Sequence, residues 1–474
     1  MNFSRRHFLS FATAGLGATA AMHLMGREAL AAAGMPRASF PNHPPRAKRA
    51  IHICLMGGLS QVDSFDYKPE LARFHGKAPP ASVRPDTFFG SAGFMRTNEW
   101  EFRQRGKSGL WVSELFPHLA SVADELTVIR SMHSDSANHT PASFLQNTGF
   151  QMNGFPALGS WLSYGLGNLS DSLPTFIVLP DARSLPNNGA SNWSSGFLPA
   201  EHQGALFRAG DQPVRNLFAE PGIDPAAERD SRDLLEKINR RHAAERADED
   251  VLTARLRAYE VAARMQTSVP EAVHFASEPE HISKLYGLDH KQTADCGRRC
   301  LLARRLLERG VRFVQIYSGG AFGGTPRHGW DGHEDNRENH SREAALIDRP
   351  VAGLIEDLRQ RGMLEDTLIL FTSEFGRTPF TQAPAGKLGL GRDHNPEGFT
   401  VWLAGAGLKK GFAYGATDEV GWKAVEKPVS WPDFHATVLH LLGYNHERFT
   451  FKFQGLDQRL TGVLPAKVVH DLIA

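Results

Sequence analysis

Short runs of β-branched and aromatic residues alternate with stretches of helical periodicity along most of this chain. Residues 50–56, 127–129 and 176–179 are apolar runs of strand length, whereas residues 115–126 have a helical pattern. Strands that alternate with helices are the signature of βαβ units. The pattern therefore predicts an α/β fold with a mainly parallel sheet.

The last third of the chain has the clearest pattern. It predicts a helix over about residues 293–309 followed by a strand over 311–317, and a second helix, ending at Gly362, followed by a strand over 367–372. Residues 399–403 form another strand-like run. Because crossovers between parallel strands are right-handed, the polar segments after these strands should lie at one edge of the sheet.

Residues 225–267 differ from the rest of the chain because they are rich in charge. Apolar residues recur there at roughly helical spacing, among them Leu234, Ile238 and Leu252. We interpret this segment as a helical insertion or hairpin outside the sheet, acting as a lid or an interface.

The N-terminal residues are typical of an export signal. Arg5 and Arg6 precede an apolar stretch and small-residue cleavage sites, as in twin-arginine signal peptides. The stretch is interrupted by glycines and too short to span a membrane easily. We predict a signal peptide over residues 1–33, a linker over 34–47 and a single domain over 48–474. The twin-arginine export machinery would then be a partner, and the mature protein would be periplasmic or secreted.

Composition narrows the function further. The chain has 474 residues, of which 41% are hydrophobic, enough for a large core. A formal net charge of +1 argues against a nucleic-acid or anionic-membrane surface. Three cysteines make no disulfide framework. Cys54 lies in an apolar run and should be buried, whereas Cys296 and Cys300 could pack together, bind a metal or form a disulfide.

Candidate metal ligands follow or precede the late apolar runs. Asp331 and His333 come after the strand at 311–317, Glu374 after the strand at 367–372, and His394 before the strand at 399–403. Open α/β sheets bind ligands at the carboxyl ends of their strands. Imidazole and carboxylate groups together suit zinc, manganese or iron. The alternatives are ion pairs, of Glu374 with Arg377 or of His394 with Asp393.

Five motifs resemble one family of bacterial proteins. They lie at residues 57–66, 196–199, 303–314, 330–333 and 372–379. The family is exported, sulfatase-like and of unknown function (the domain-of-unknown-function family numbered fifteen-oh-one), within the alkaline phosphatase superfamily. The resemblance extends from about Arg46 to Leu472.

The resemblance implies an alkaline-phosphatase/sulfatase-like, doubly wound fold with helices on both faces of the sheet. It also implies hydrolysis of phosphate or sulfate esters at a metal site. The matching positions make Asp331, His333, Glu374 and His394 metal ligands, with Asp63 in the loop after the first strand. Arg377 would hold an oxyanion of the substrate.

Two departures from the superfamily pattern change these expectations. Gly57 and Gly58 stand where relatives have an aspartate, and Phe375 stands where they have a histidine. The position of the usual nucleophile corresponds to His139, with Thr140 beside it. His139 would then replace a lost ligand, Thr140 would be the nucleophile, or the protein would have no covalent nucleophile.

Three functions follow as hypotheses. The first is a hydrolase of small-molecule or polysaccharide esters that uses metal-activated water or an atypical nucleophile. The second is a catalytically silent metal-binding protein with the same fold, and the third is a scaffold whose helical insertion docks a partner. We expect one divalent metal; a second would need Asp63, His139 or His328.

Overall fold

A computed structural model describes residues 41–81, 83, 92–208, 213–214, 224–244, 269, 271–320 and 328–474 of the chain. The predicted signal peptide (residues 1–33), residues 34–40 of the predicted linker and residues 245–267 of the predicted insertion lie outside this part. Within it, no helix is both long enough and apolar enough to cross a membrane.

The strands are numbered in chain order. They are β1 (Arg49–Leu55), β2 (Phe102–Arg105), β3 (Leu110–Ser113), β4 (Leu126–Met132), β5 (Phe176–Leu179), β6 (Ala205–Leu206), β7 (Phe313–Ser318), β8 (Thr367–Ser373), β9 (Gly376–Thr381), β10 (Arg392–Asn395), β11 (Phe399–Gly405), β12 (Phe412–Tyr414), β13 (Ala416–Thr417), β14 (Ala424–Glu426), β15 (Phe451–Phe453) and β16 (Leu456–Gln458).

The helices are also numbered in chain order, and short 3-10 turns lie between several of them. They are α1 (Glu70–Phe74), α2 (Pro117–Ser121), α3 (His139–Thr148), α4 (Leu158–Leu166), α5 (Pro225–Ala244), α6 (Glu280–Leu285), α7 (Ala294–Glu308), α8 (Asn336–Gln360) and α9 (Trp431–Leu441).

Eight strands form a central sheet in the order β12-β4-β11-β8-β1-β7-β5-β6. β1 pairs in parallel with both β7 and β8, and β5 pairs in parallel with β7 and β6. β11 is antiparallel to both of its neighbours, β8 and β4. The predicted α/β class with a mainly parallel sheet is therefore confirmed.

Helices cover both faces of the sheet because side chains alternate along each buried strand. On β1, Ile51 and Ile53 belong to one core cluster and Ala50 and Cys54 to the other. The first cluster includes the apolar sides of α7 and α8, and the second includes those of α4 and α9. The sheet is thus buried between two helical layers, as in a doubly wound fold.

Several predicted elements match the structure closely, and one does not. The predicted helix over 293–309 is α7 and the strand over 367–372 is β8. The predicted helix over 115–126 is instead the short α2 followed by a 3-10 turn. The helix ends at Ser121, and the next residue, Val122, has non-helical backbone angles of φ −111° and ψ 20°.

The cysteines are free and buried. The Sγ atoms of Cys296 and Cys300 lie 3.9 Å apart on α7, far longer than a disulfide bond of about 2.05 Å. Both side chains belong to the core between α7 and the sheet. The structure therefore supports packing of the Cys296 and Cys300 side chains in the core.

A glycine after β1 lets the end of this strand pack closely against the segment that carries Asp331 and His333. Gly57 has φ +122°, and a Cβ there would lie 2.5 Å from the backbone nitrogen of Asp331. A side chain would therefore collide with the segment that carries Asp331 and His333. This close packing explains physically why a glycine, rather than an aspartate, occupies the end of β1.

Candidate metal centre

Four side chains from three parts of the chain converge at the carboxyl ends of the parallel strands. His139 opens α3, Asp331 and His333 lie between β7 and α8, and His394 is on β10. Each offers one ligand atom, and these four atoms all lie within 4.8 Å of one another. Asp331, His333 and His394 are buried, and His139 is half-buried. We call this group the histidine cluster.

The Asp331 carboxylate is at the middle of the cluster. Its Oδ1 lies 2.8 Å from Nε2 of His333, 3.3 Å from Nε2 of His394 and 3.4 Å from Nε2 of His139. The Nε2 atoms of His333 and His394 are 2.9 Å apart. One oxygen and three ring nitrogens therefore face a common point.

The other nitrogen of each ring is held by an acceptor outside this point. Nδ1 of His394 lies 2.5 Å from the carbonyl oxygen of Ala137, and Nδ1 of His333 contacts Oε1 of Gln382. Since neither oxygen can donate, the neutral form of each ring has its proton on Nδ1 and its lone pair on Nε2. Two lone pairs at 2.9 Å repel each other unless a cation lies close to them.

Glu374 accepts the hydrogen bond from Nδ1 of the third ring, His139. Its Oε1 lies 3.0 Å from Nδ1 of His139 and accepts the backbone N–H of Gly57 at 2.8 Å. A carboxylate behind a ligating imidazole fixes the ring orientation and raises its basicity. Glu374, predicted as a ligand, is not one of the four clustered residues. Its contacts make it a positioning residue for His139.

The electrostatics of the cluster favour a charged Asp331 carboxylate and a neutral His394 ring, whereas they draw a proton to His139. Burial lowers the pKa of His394 well below its ordinary value, despite the nearby Asp331. Burial would raise the pKa of Asp331, but Arg377 and the three histidines together lower it strongly. Burial opposes protonation of His139, yet its contacts with Asp331 and Glu374 raise its pKa overall.

The residues present fit a divalent metal ion. Three imidazole nitrogens and one carboxylate oxygen form a donor set used by zinc and by other borderline divalent ions. Each histidine has the outer partner that metal-ligating histidines usually have. Phe375 closes one side, with ring centroids 4.4 Å from His394 and 5.0 Å from His139. The cluster is therefore a candidate site for one cation.

Arg377 is placed differently from the prediction. Its side chain is fully buried, donates to Asp331 Oδ1 at 2.6 Å and to the carbonyl of Gly58 at 3.0 Å, and also contacts the carbonyl of Gly57. A guanidinium used in this way fixes the glycine turn and Asp331. Its contacts indicate positioning, not a grip on a substrate oxyanion.

Asp63 is likewise not one of the clustered residues. Its Oδ2 lies 2.9 Å from Nε of Arg392 and accepts the Ser60 hydroxyl at 2.6 Å, and its Oδ1 accepts the backbone N–H of Glu99 at 2.8 Å. The predicted metal ligand is thus already paired with a buried guanidinium. Arg392 supplies the positive charge that a metal would have supplied.

Thr140 and His328 have contacts outside the cluster. The Thr140 hydroxyl accepts a hydrogen bond of 2.8 Å from the side-chain amide of Asn187. His328 is exposed, and its carbonyl accepts from the backbone N–H of Gly320. His328 is not one of the four clustered residues, and the contact of Thr140 with Asn187 gives no support for a nucleophilic role.

Sequence reasoning did not identify Gln382 or Ala137. Gln382 follows β9 and holds His333, while Ala137 precedes α3 and holds His394 through its backbone. A backbone carbonyl has no sequence signal. The only signal in the sequence that could have indicated Gln382 was its position between β9 and β10, the strand that carries His394.

The fold and the site together define an α/β protein with a metal-ligand cluster at the carboxyl edge of its sheet. The chain belongs to the family described as "Protein of unknown function (DUF1501)", whose model matches residues 47–473. The predicted family is therefore confirmed. No curated protein matches the chain significantly.

Solved structures similar to the chain include enzymes of phosphate, sulfate and phosphonate ester chemistry. Lipoteichoic acid synthase LtaP from Listeria monocytogenes is 10% identical, with a TM-score of 0.39, covering 88% of this chain and 75% of that chain. PsFucS1 sulfatase from Pseudoalteromonas sp. is 14% identical, with a TM-score of 0.37, covering 90% and 72%. Phosphonate monoester hydrolase of Agrobacterium radiobacter is 14% identical, with a TM-score of 0.35, covering 83% and 74%. Values this low establish no shared activity.

Proposed function

We propose that this protein is an exported metal-dependent hydrolase of phosphate or sulfate esters. The observation that carries the proposal is the convergence of three histidine Nε2 atoms and Asp331 Oδ1, with every Nδ1 held from outside. Such a constellation costs stability, because four polar groups must be buried together. A bound cation would offset that cost.

Each part of the site would have a separate task. His139, Asp331, His333 and His394 would hold one divalent ion, which would supply Lewis-acid activation of water and of an ester oxygen. Glu374, Gln382 and the carbonyl of Ala137 would keep the rings in place. Phe375 would exclude water from one side of the cluster.

The N-terminus of α3 suits an anionic substrate group beside the cluster. His139 is the first residue of this ten-residue helix, and Asn138 caps it by accepting the N–H of Thr140 at 3.1 Å. The N-terminal end of a helix carries a partial positive charge and commonly binds phosphate or sulfate. The reacting anion would therefore be placed between this helix end and the cation.

We infer that one cation, not two, would be bound. A second site would need further carboxylates and histidines, and Asp63 is paired with Arg392 while Phe375 stands beside the cluster. Zinc, manganese and iron all suit the donor set. The twin-arginine route would deliver the folded, loaded protein to the periplasm or beyond, and the substrate would be a small-molecule or polysaccharide ester.

The test combines metal analysis with an ester screen. The purified chain should contain about one equivalent of a divalent metal and hydrolyse an aryl phosphate or an aryl sulfate. His333→Ala should lose both properties, whereas His328→Ala, which changes an exposed histidine outside the cluster, should keep them. Wild-type protein that is folded but binds no metal under any loading condition would contradict the proposal.

A second candidate function is a catalytically silent metal-binding protein that docks a partner. It is favoured by the exposed apolar residues of α5, where Leu234, Leu235 and Ile238 are 59%, 50% and 55% exposed. It is also favoured by the engagement of Thr140 with Asn187 and by the burial of Arg377. One equivalent of metal without hydrolysis of any ester in the screen would favour this function.

A further inference from the structure

A cleft of about 770 Å³ is lined by residues that neighbour His139 and His394 along the chain. The segment at residues 133–137 forms one wall and leads straight into His139, and Pro396 and Glu397 form another wall just after His394. The two walls are joined, because Ser134 donates its backbone N–H to the carbonyl of Pro396 at 2.9 Å. The carbonyl of Ala137 both lines the cleft and holds the His394 ring.

The size of the cleft suits a small organic group next to the cluster. Sites for small molecules commonly measure about 300–1,000 Å³. Although the Ser134 hydroxyl is buried, the residues around the cleft are mainly polar: Ser136 offers a hydroxyl and His133 offers an imidazole. Such groups both donate to and accept from the hydroxyls of a ligand.

The charged residues around the cleft do not favour a polyanionic ligand. Of the described residues around it, Asp135 and Glu397 are carboxylates, Lys423 is the one residue with a permanently charged amine, and none is an arginine. Nζ of Lys423 lies 3.4 Å from Oε2 of Glu397, so its charge is shared with a carboxylate. Surfaces that attract polyanions carry an excess of Lys and Arg; this one carries an excess of acid.

We propose that the cleft binds the uncharged, hydroxyl-rich part of an ester substrate, such as a neutral sugar carrying a single phosphate or sulfate. The anionic group would face the histidine cluster and the N-terminus of α3, and the sugar hydroxyls would face Ser136, Asp135 and Glu397. This inference rests on the proposed hydrolase function for the reacting group, but the binding can be measured without turnover.

The experiment measures equilibrium binding of two probes by calorimetry to metal-loaded protein. One probe is glucose 6-phosphate, a neutral sugar with one anionic ester; the other is a heparin disaccharide with a uronate and several sulfates. Wild-type protein should bind glucose 6-phosphate at least about tenfold more tightly, a difference of about 1.4 kcal/mol. The double variant D135K/E397K should lose most of this preference.

A matched control reverses two exposed carboxylates elsewhere. The variant E280K/D457K makes the same change in net charge outside the cleft and should keep the wild-type preference. Tighter binding of the heparin disaccharide by wild type, no binding of either probe, or an unchanged preference in D135K/E397K would overturn the inference. Turnover of glucose 6-phosphate is followed in the same samples. Binding with the expected preference but without hydrolysis would exclude glucose 6-phosphate as a substrate and leave the cleft assignment standing, while the ester screen tests the hydrolase function itself.

Discussion

Two buried carboxylates near the same edge of the sheet differ in what surrounds them. Asp63 follows β1 and is matched by the guanidinium of Arg392, the Ser60 hydroxyl and the Asn336 amide. Asp331 follows β7 and is matched by Arg377 and by three histidine Nε2 atoms. The groups around Asp63 are all hydrogen-bond donors. The groups around Asp331 include ring nitrogens that can act as acceptors.

This difference decides which region can take an ion. A carboxylate surrounded only by N–H and O–H donors is complete, because no neighbouring lone pair is available to share a cation with it. A carboxylate that shares a point with ring lone pairs is stabilised by an added cation. Both regions contain a buried carboxylate. They differ in whether the neighbouring groups only donate protons or also present lone pairs.

The largest effect is expected where the closed network is broken. Asp63→Ala leaves the fully buried Arg392 without its carboxylate, and breaking a buried pair costs about 3–5 kcal/mol. Urea denaturation should show this loss in the free energy of unfolding, while the folded fraction keeps its metal. Glu280→Ala is the control, since the exposed Glu280–Lys284 pair should contribute less than about 1 kcal/mol. Loss of metal without loss of stability would make Asp63 a ligand after all.

Removal of a cluster histidine should lower metal affinity more than it lowers the stability of the fold. His394→Ala deletes one of the four converging donors and should weaken metal affinity by more than about 100-fold, because loss of outer partners alone costs about 10–100-fold. Competition with a chelator of known affinity measures the change, with His328→Ala as the control. Equal affinities in the two variants would contradict the role of His394.

Gln382, which contacts Nδ1 of His333, should have a smaller effect on metal affinity than a cluster histidine. Gln382→Ala removes the oxygen that holds Nδ1, and metal affinity should fall about 10–100-fold. Gln382→Glu keeps an acceptor in place and should restore most of that affinity. The same chelator competition measures both variants. If the alanine and glutamate variants behave alike, the acceptor does not orient His333.

A third buried carboxylate, Asp348, has no cationic partner among the described residues and extends the comparison. Burial raises the pKa of Asp348 to about 7, although it accepts the backbone N–H groups of His118 and Leu119. The folded state therefore retains a proton that the unfolded state releases near pH 4. The stability contributed by this proton is present below about pH 4 and is lost as pH rises towards 7, by at most about 1.4 kcal/mol per pH unit.

Asp348→Asn should remove this dependence. The variant and the wild type are compared by urea denaturation between about pH 4 and pH 7, and the difference in unfolding free energy should change steadily across that window. Parallel pH profiles would show that Asp348 titrates normally, and that burial without a cation does not distinguish it from Asp63.

The sequence predicted the strands and the edge at which polar segments meet, because hydrophobic periodicity and crossover handedness are local or general rules. It also placed Asp331, His333 and His394 in one region, and the structure brings them together. It did not separate the roles of His139 and Glu374, which are 235 positions apart, or pair Asp63 with Arg392, 329 positions away. Those roles depend on side-chain directions across the assembled sheet edge, for which one sequence carries no signal.

X-ray absorption spectroscopy of the metal-loaded protein tests the central claim most directly. The account predicts a first shell of nitrogen and oxygen donors with outer-shell scattering from about three imidazole rings, lost in part in His394→Ala. A shell containing sulfur, or one without imidazole scattering, would place the ion elsewhere and contradict the assignment of the histidine cluster.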